Sequence, residues 1–234
     1  MEILLRGNGE FLMSETALKD IPYWVFDLDN TLYPVTTNLF GQIDKRMCDF
    51  IAGYLDVGHE EAYRVQKSFF REYGTTLRGL MECHDMDPGP YLDYVHAVDL
   101  DAVETDSRMD QALHQLPGRK FVFTNAPLDY ARRVLEKIGI SGHFDDIFDI
   151  VAADYIPKPE PVVYQRMQAR FGIDPERAVM VEDIVRNLGP ARAMGMTTVW
   201  VKTDRPWAHT DAEIHKPDHH TDNLSKWLAG VAGI

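Results

Sequence analysis

Four short apolar runs punctuate the chain: YWVF at 23–26, KFVF at 120–123, AVMV at 178–181 and TTVW at 197–200. Each is rich in β-branched or aromatic residues and closes on polar or turn-forming ones, the pattern of a buried strand. Between the later runs the apolar positions recur at three and four residues, across Leu128 to Ile138, Pro161 to Phe171 and Val185 to Met194, which predicts helices. Strands alternating with helices predict an α/β fold built on a doubly wound, Rossmann-like parallel sheet.

The interval between the first two runs is different, because from about Thr36 to about Leu116 the pattern is helical throughout. Leu39, Ile43, Met47, Phe50 and Tyr54 mark one helix face. Ala62, Tyr63, Gln66, Phe69, Phe70 and Tyr73 mark a second, which Gly74 interrupts. TTLRGLMECH starts a third helix, and PYLDYVHAV, after the turn-forming DPGP at 87–90, a fourth. The expected division is a sheet core made of 1–35 and 117–234, with an inserted helical cap domain at 36–116 that can close over the sheet. Residues 1–20 read as peripheral, and 203–222, rich in Asp, His, Pro and Thr, as a long surface loop.

Composition narrows the class. The 234 residues are 45% hydrophobic and 26% charged, as in a soluble globular protein. No apolar run approaches the ~20 residues of a membrane span, and MEILLRGNGEFLMSE carries acids and no long apolar segment, unlike a signal peptide. Cys48 and Cys83 make no disulfide framework, which points to a reducing cytoplasm, and both read as packing residues. A net charge of -13 argues against a nucleic-acid polymer as partner. It leaves room for a small anionic substrate, since one local cation reverses the sign inside a pocket. Oligomeric state has no signature in the sequence.

The chemistry sits where the apolar runs end. In an open α/β sheet, ligands bind beyond the carboxyl ends of the strands. YWVF runs straight into Asp27, Asp29 and Thr31; KFVF into Thr124 and Asn125; AVMV into Glu182 and Asp183. IPKPEP supplies Lys158 on a loop before a helix. Taken alone, DLDNT reads equally as a strand followed by an acidic turn; the other three segments, in order, turn it into a candidate catalytic site. Asp27, Asp29, Glu182 and Asp183 cannot all stay ionised together without a cation. Oxygen-only donors favour a hard ion, and a site that also takes phosphate favours Mg²⁺. Aspartate is a covalent nucleophile toward phosphorus. Thr124 can hold a phosphate oxygen, Lys158 can offset phosphoryl charge, and Asp29 can protonate the leaving oxygen and later take a proton from water. The histidines at 209, 215, 219 and 220 lack a zinc-site spacing and read as part of the solvated loop.

D-x-D-x-T after a strand, a strand-ending Thr-Asn, the lysine of PKP and the late acid pair, in that order, resemble the haloacid dehalogenase superfamily of phosphatases, over about residues 22 to 202. The resemblance implies that Asp27 is the nucleophile, forming an aspartyl-phosphate, and Asp29 the general acid and base. It implies phosphate binding by Thr124, Asn125 and Lys158. It also implies Mg²⁺ held by Asp27, Asp183 and the main-chain carbonyl of Asp29, with Thr31, Glu182 and Asn187 behind them. The insertion is similar to the helical cap of the superfamily's first cap class. Asn30 stands where many members have glycine, and Asn tolerates the positive φ such a turn needs. Glu182 and Asn187 stand where aspartates are frequent.

DLDNTLYP, LFGQIDKRM and YGTTLRGLM are most similar to the pyrimidine 5'-nucleotidase-like branch, which implies a nucleoside 5'-monophosphate such as UMP or CMP. Arg46, Tyr73, Thr76 and Arg78 on those stretches are the cap residues expected near base or sugar; the two arginines also read as surface or capping charges. A sugar phosphate, pyridoxal phosphate or a phosphomutase reaction fits the same inner residues. A phospho-acceptor signalling domain is shorter and lacks the inserted helices. A haloacid dehalogenase needs neither Asp29 nor Asp183.

Overall fold

In the computed structural model, which describes residues 3–5, 11–13, 18–209 and 212–234, the four apolar runs are adjacent parallel strands. β1 (Ile3–Leu5) and β2 (Phe11–Met13) form a separate antiparallel ribbon. The main sheet contains β3 (Tyr23–Phe26), β4 (Arg119–Phe123), β5 (Asp146–Phe148), β6 (Ala178–Glu182), β7 (Thr197–Val201) and β8 (His219–Thr221), in the order β5-β4-β3-β6-β7-β8. The chain winds outward from β3 through β4 to β5, then returns to the other side of β3 for β6, β7 and β8. The carboxyl end of β3 is therefore the point where the winding reverses, the place at which this architecture leaves a crevice for ligands.

Strand pleating sorts the side chains into two cores. Trp24, Phe26, Val122, Val179, Val181, Val199 and Val201 share one buried cluster. The helices α5 (Ser107–Gln115), α6 (Leu128–Ile138) and α10 (Leu224–Ala232) cover it through Ala112, Leu113, Tyr130, Val134, Leu135 and Leu228. Val25, Phe121, Phe123, Ala178 and Met180 turn the other way, against α7 (Pro161–Phe171) and α8 (Val185–Ala193), with Tyr164, Met167, Phe171 and Leu188. Every residue of β3 but the first is fully buried, so a polar side chain there has nowhere to go until the strand ends at Asp27.

The inserted helices are α1 (Leu39–Leu55), α2 (His59–Tyr73), α3 (Thr76–His84) and α4 (Pro88–Val95). Local chemistry sets their limits: Thr75 accepts a bond from the Arg78 N–H at 3.1 Å and Asp87 from the Gly89 N–H at 3.0 Å, each capping a helix start. Positive φ at Asp56, Gly74 and Asp85 ends α1, α2 and α3. Ile51, Ala62, Leu77, Leu80, Tyr91, Leu92 and Val95 give these helices a core of their own, joined by Ile150 from the loop after β5. Helix α5, which lies inside the interval 36–116, packs instead on α10 and the sheet, because Met109, Ala112 and Leu113 face that cluster.

Three expectations are corrected. The stretch 203–222 is not a continuous loop: Pro206–His209 is a 3-10 turn, α9 (Ala212–His215) is a short helix, and β8 closes the sheet with His219 buried. Residues 1–20 are not wholly peripheral, since Leu18 is buried in the core. Cys48 and Cys83 are free, and Cys83 is exposed rather than a packing residue. Among the described residues no helix is long and apolar enough to cross a membrane.

Phe121 is fully buried and stacks on Phe171 with ring centroids 4.2 Å apart. Phe121→Ala is expected to lower the unfolding free energy by about 3–5 kcal/mol. The thermal midpoint should fall by roughly 10 °C, given ~2–4 °C per kcal/mol in a chain of this size. Tyr63→Ala, at an exposed helix position, should stay within about 0.5 kcal/mol of the parent.

Candidate active site

Register brings the strand ends level. Phe26 pairs with Val122 on one side and Val181 on the other, so Asp27 stands at the height of Phe123 and Glu182. Its N–H continues the ladder, donating to the Val181 carbonyl at 2.9 Å. Beyond it the chain turns back at once: the N–H groups of Thr31 and Leu32 both donate to the Leu28 carbonyl, at 3.3 and 3.0 Å. Asn30 takes φ 59 to make this turn, as its tolerance of left-handed backbone allows.

Lys158 enters from the loop before α7, its main chain clamped by Asn125. The Lys158 N–H donates to Asn125 Oδ1 at 2.9 Å, and Asn125 Nδ2 donates back to the Lys158 carbonyl at 3.5 Å. The ammonium is buried and makes three bonds: to Asp27 Oδ1 at 2.7 Å, Glu182 Oε2 at 2.6 Å and the Phe123 carbonyl at 2.9 Å. An ammonium has three protons, so all of them are committed to the protein. Lys158 thus acts on Asp27 directly, while Asn125 acts on the Lys158 main chain and keeps a second amide proton with no partner among the described contacts. Thr124 is buried, and its Oγ1 accepts from the Ala126 N–H at 3.0 Å, which leaves its own proton to donate.

Three carboxylates and one ammonium share this buried volume. Oxygens of Asp27, Glu182 and Asp183 all lie within 4.8 Å of one another. Burial, reinforced by Glu182, raises the Asp27 carboxyl to about 7 despite the pull of Lys158. Burial, then Glu182 and Asp27, pushes Asp183 well above the usual carboxylate range. Burial opposes the Lys158 charge, but attraction to Asp27 and Glu182 outweighs it and raises the ammonium above its ordinary value. Full ionisation of the three acids leaves two negative charges that Lys158 does not match, the charge of one divalent cation. The donor set fits a hard cation on a second ground: the buried oxygens Asp183 Oδ2 and Asn187 Oδ1 have no hydrogen-bond partner. Asp27 and Asp183 are the residues that could hold it, while Glu182 is tied by Lys158 and by the Ile184 N–H at 3.2 Å. The Thr31 hydroxyl oxygen is likewise buried without a partner.

Asp29 is only partly buried and sits apart from this cluster's bonds. Its Oδ1 accepts from Tyr33 Oη at 2.5 Å and from Tyr130 Oη at 2.7 Å. Burial raises its carboxyl from the ordinary value, and these two bonds pull it back down. Both tyrosines escaped the sequence reading. Tyr33 stands in the quoted DLDNTLYP, four residues after Asp29, whereas nothing in the pattern of α6 distinguishes Tyr130 from a core residue. Two further groups fix the acidic loop: Trp200 Nε1 donates to the Asp183 carbonyl at 2.9 Å, and Tyr164 Oη to the Asn187 carbonyl at 2.5 Å.

The cap residues divide. Tyr73 and Arg78 border a cleft of about 510 Å³ whose other walls include Gly74, Pro157, Pro159 and Arg186. The turn at Gly74 lies directly on the loop that carries Lys158, since a Cβ there would meet Pro157 at 3.2 Å. Arg46 is engaged elsewhere: its Nε donates to the Tyr94 carbonyl at 2.7 Å and its guanidinium lies 4.3 Å over the Tyr94 ring. Thr76 is buried and donates to the Gln66 carbonyl at 3.2 Å, a bond that holds α3 to α2. Arg78 also pairs with Glu82 along α3.

Known proteins resemble the chain at both levels. Phosphate metabolism protein 8 of Saccharomyces cerevisiae is 27% identical over 227 residues, 89% of this chain and 70% of that one. The glyceraldehyde 3-phosphate phosphatase of Pyrococcus abyssi is 26% identical over 197 residues, 76% and 79% of the two chains. A phosphatase structure from Thermococcus onnurineus superposes with a TM-score of 0.59 at 20% identity, covering 91% of this chain and 98% of its own. A dehalogenase structure does nearly as well, with a TM-score of 0.57 at 16% identity over 91% and 97%, so these superpositions establish the fold alone. The sequence profile of the haloacid dehalogenase-like hydrolases matches residues 24–195, which takes in Asp27, Thr124, Lys158 and Asp183. The chain belongs to the haloacid dehalogenase-like hydrolase family.

Proposed function

We propose that this protein is a Mg²⁺-dependent phosphomonoesterase that passes the phosphoryl group of a small metabolite to Asp27 and then to water. The observation that carries the reading is the buried cluster at the winding reversal, in which Lys158 bridges Asp27 and Glu182 beside the unpartnered Asp183 oxygen. A relative that is a phosphatase supports it. An Asp27 oxygen attacks phosphorus, the ester P–O bond breaks, and the leaving oxygen takes a proton from Asp29. Water then attacks the phosphorus on Asp27, gives its proton to Asp29, and phosphate departs with the Asp27 carboxylate restored. Lys158 holds the plane of the nucleophile through Oδ1, and the free Thr124 proton is available to a phosphate oxygen. Asp27, Asp183 and the Asp29 main-chain carbonyl would hold Mg²⁺, which would supply the positive charge that admits a phosphate to so acidic a site.

For the substrate we take a pyrimidine nucleoside 5'-monophosphate. The branch resemblance supports this, as does a cleft of about 510 Å³ with Tyr73 and Arg78 on its wall, a size that suits a nucleoside. A triose or other sugar phosphate is the second reading, favoured by the activity of the Pyrococcus abyssi relative. The free cysteines accord with a cytoplasmic setting, where we place the protein.

Phosphate release from UMP, CMP, AMP and a triose phosphate, with Mg²⁺ and with EDTA, tests the reading. UMP or CMP should be preferred and EDTA should abolish turnover. Release that survives EDTA overturns the metal requirement, and preference for the triose phosphate overturns the nucleotide assignment.

Asp27→Asn should reduce turnover to background without unfolding the protein. The Asp27 carboxyl titrates near 7 in the metal-free fold, against ~4 when unfolded, so across that window the unfolded chain binds fewer protons. Metal-free stability therefore falls as pH rises through the window. In EDTA at about pH 8, Asn at this position should raise the thermal midpoint above the parent's, and at about pH 4 the advantage should vanish. A midpoint lowered at both pH values would show that Asp27 stabilises the fold through Lys158 instead.

A further inference from the structure

Two buried tyrosines converge on one oxygen of Asp29. Tyr33 Oη and Tyr130 Oη lie 2.5 and 2.7 Å from Oδ1 and 3.2 Å from each other. Each phenol has a single proton, so two donations to Oδ1 use both, and the hydroxyl oxygens are held together by their shared acceptor. Among the described contacts Oδ2 has no hydrogen bond. Asp29 is also only partly buried, whereas Asp27, Glu182 and Asp183 are buried. One oxygen is therefore anchored and the other is open.

We propose that Tyr33 and Tyr130 are positioning residues that clamp Asp29 through Oδ1 and so assign Oδ2 as the oxygen that exchanges the proton with the leaving group and with water. This rests on the phosphatase reading above. A carboxylate on the rim of a site turns about two side-chain torsions, and a proton-transfer oxygen a fraction of an ångström out of place loses much of its effect. A single donor leaves the carboxylate free to pivot about that bond. Two donors reaching one oxygen from different parts of the fold remove the pivot.

The tyrosines are themselves braced. Tyr33 is four residues from Asp29 on the turn that leads into the cap, and is buried. Tyr130 lies in the first turn of α6, the helix that follows the strand-end segment carrying Thr124 and Asn125. Its ring packs 4.9 Å from that of His96, at the end of α4. His96 Nδ1 bonds the Leu92 carbonyl at 2.9 Å, and Arg133 donates to the His96 carbonyl at 2.7 Å. The clamp thus joins the turn that leads into the inserted helices to α6, with His96 at their far end packed against it.

A merely structural pair would affect every substrate alike, and the leaving group separates the two roles. An alkyl phosphate needs the departing oxygen protonated, while p-nitrophenyl phosphate releases a stable phenolate and needs the proton far less. The value of kcat/KM reports events up to cleavage of the ester bond, whatever limits the later hydrolysis. Tyr130→Phe and Tyr33→Phe should each lower kcat/KM for an alkyl phosphate relative to that for p-nitrophenyl phosphate by about tenfold, the worth of one charge-assisted hydrogen bond. In an Asp29→Asn background, Tyr130→Phe should leave that ratio where Asp29→Asn alone put it, since the tyrosine acts through the carboxylate. A ratio unmoved by either tyrosine, or equal losses on both esters, overturns the clamp, as does faster turnover of the alkyl ester. A further shift of the ratio in the Asp29→Asn background also overturns it. If one tyrosine variant fails to fold, the other decides. An Asp29→Asn protein with the parent's ratio removes Asp29 as the acid, and a parent that releases no phosphate from either ester removes the phosphatase reading itself; the clamp falls with either.

Discussion

Lys158 is one buried ammonium ringed by Asp27 Oδ1, Glu182 Oε2 and the Phe123 carbonyl, and the arrangement of the whole site follows from it. The three acceptors come from the ends of three neighbouring strands, and the lysine comes from a loop far along the chain. Removing two carboxylates and an ammonium from water is costly, and only close geometry with every proton bonded compensates it. The sheet supplies that geometry by setting β3, β4 and β6 in register, so that their last residues arrive at one height. Asn125 completes the arrangement by gripping the main chain on which the lysine is carried.

The charge left over gives the site its chemistry. Lys158 satisfies Asp27 and Glu182, but Asp183 keeps a buried oxygen with no partner, and burial makes its ionisation unfavourable. A fold under no functional demand avoids such a group, because an unsatisfied buried polar atom costs about 1–3 kcal/mol. The strain is tolerated at the winding reversal, where a cation and an anionic ligand can both enter and balance it. Asp29 belongs to a different environment two residues away. It faces the rim, and two phenols rather than an ammonium hold it. Two aspartates in one turn are thereby set in different surroundings, one bonded by an ammonium and one by two phenols.

The helices inserted after β3 form a unit of their own beside the site. Their core is separate from the two cores of the sheet, and they meet the site through the Gly74 turn, which rests on the lysine loop. The cleft bordered by Tyr73, Arg78 and Arg186 lies beside Pro157 and Pro159, which flank Lys158.

The sequence by itself determined the inner strands, their flanking helices and the order in which reactive residues reach the rim. Short apolar runs rich in β-branched and aromatic residues and bounded by turn formers read as buried strands, and each ends where polarity begins. It did not show β5 or β8: both are edge strands of three residues, too short and polar to carry a period, and they exist because β4 and β7 offer ladders to pair with. Nor did it show that α5 packs with α10, since an amphipathic face does not name its partner. Within the site, residue types and spacing singled out Asp27, Asp29, Lys158 and Asp183, while tertiary packing decided what each one touches. Only the folded chain shows Lys158 with every proton committed, Arg46 and Thr76 bonded within the cap, and Tyr130 against Asp29. Those contacts join residues up to 131 positions apart, and no local pattern encodes a distance across that much chain.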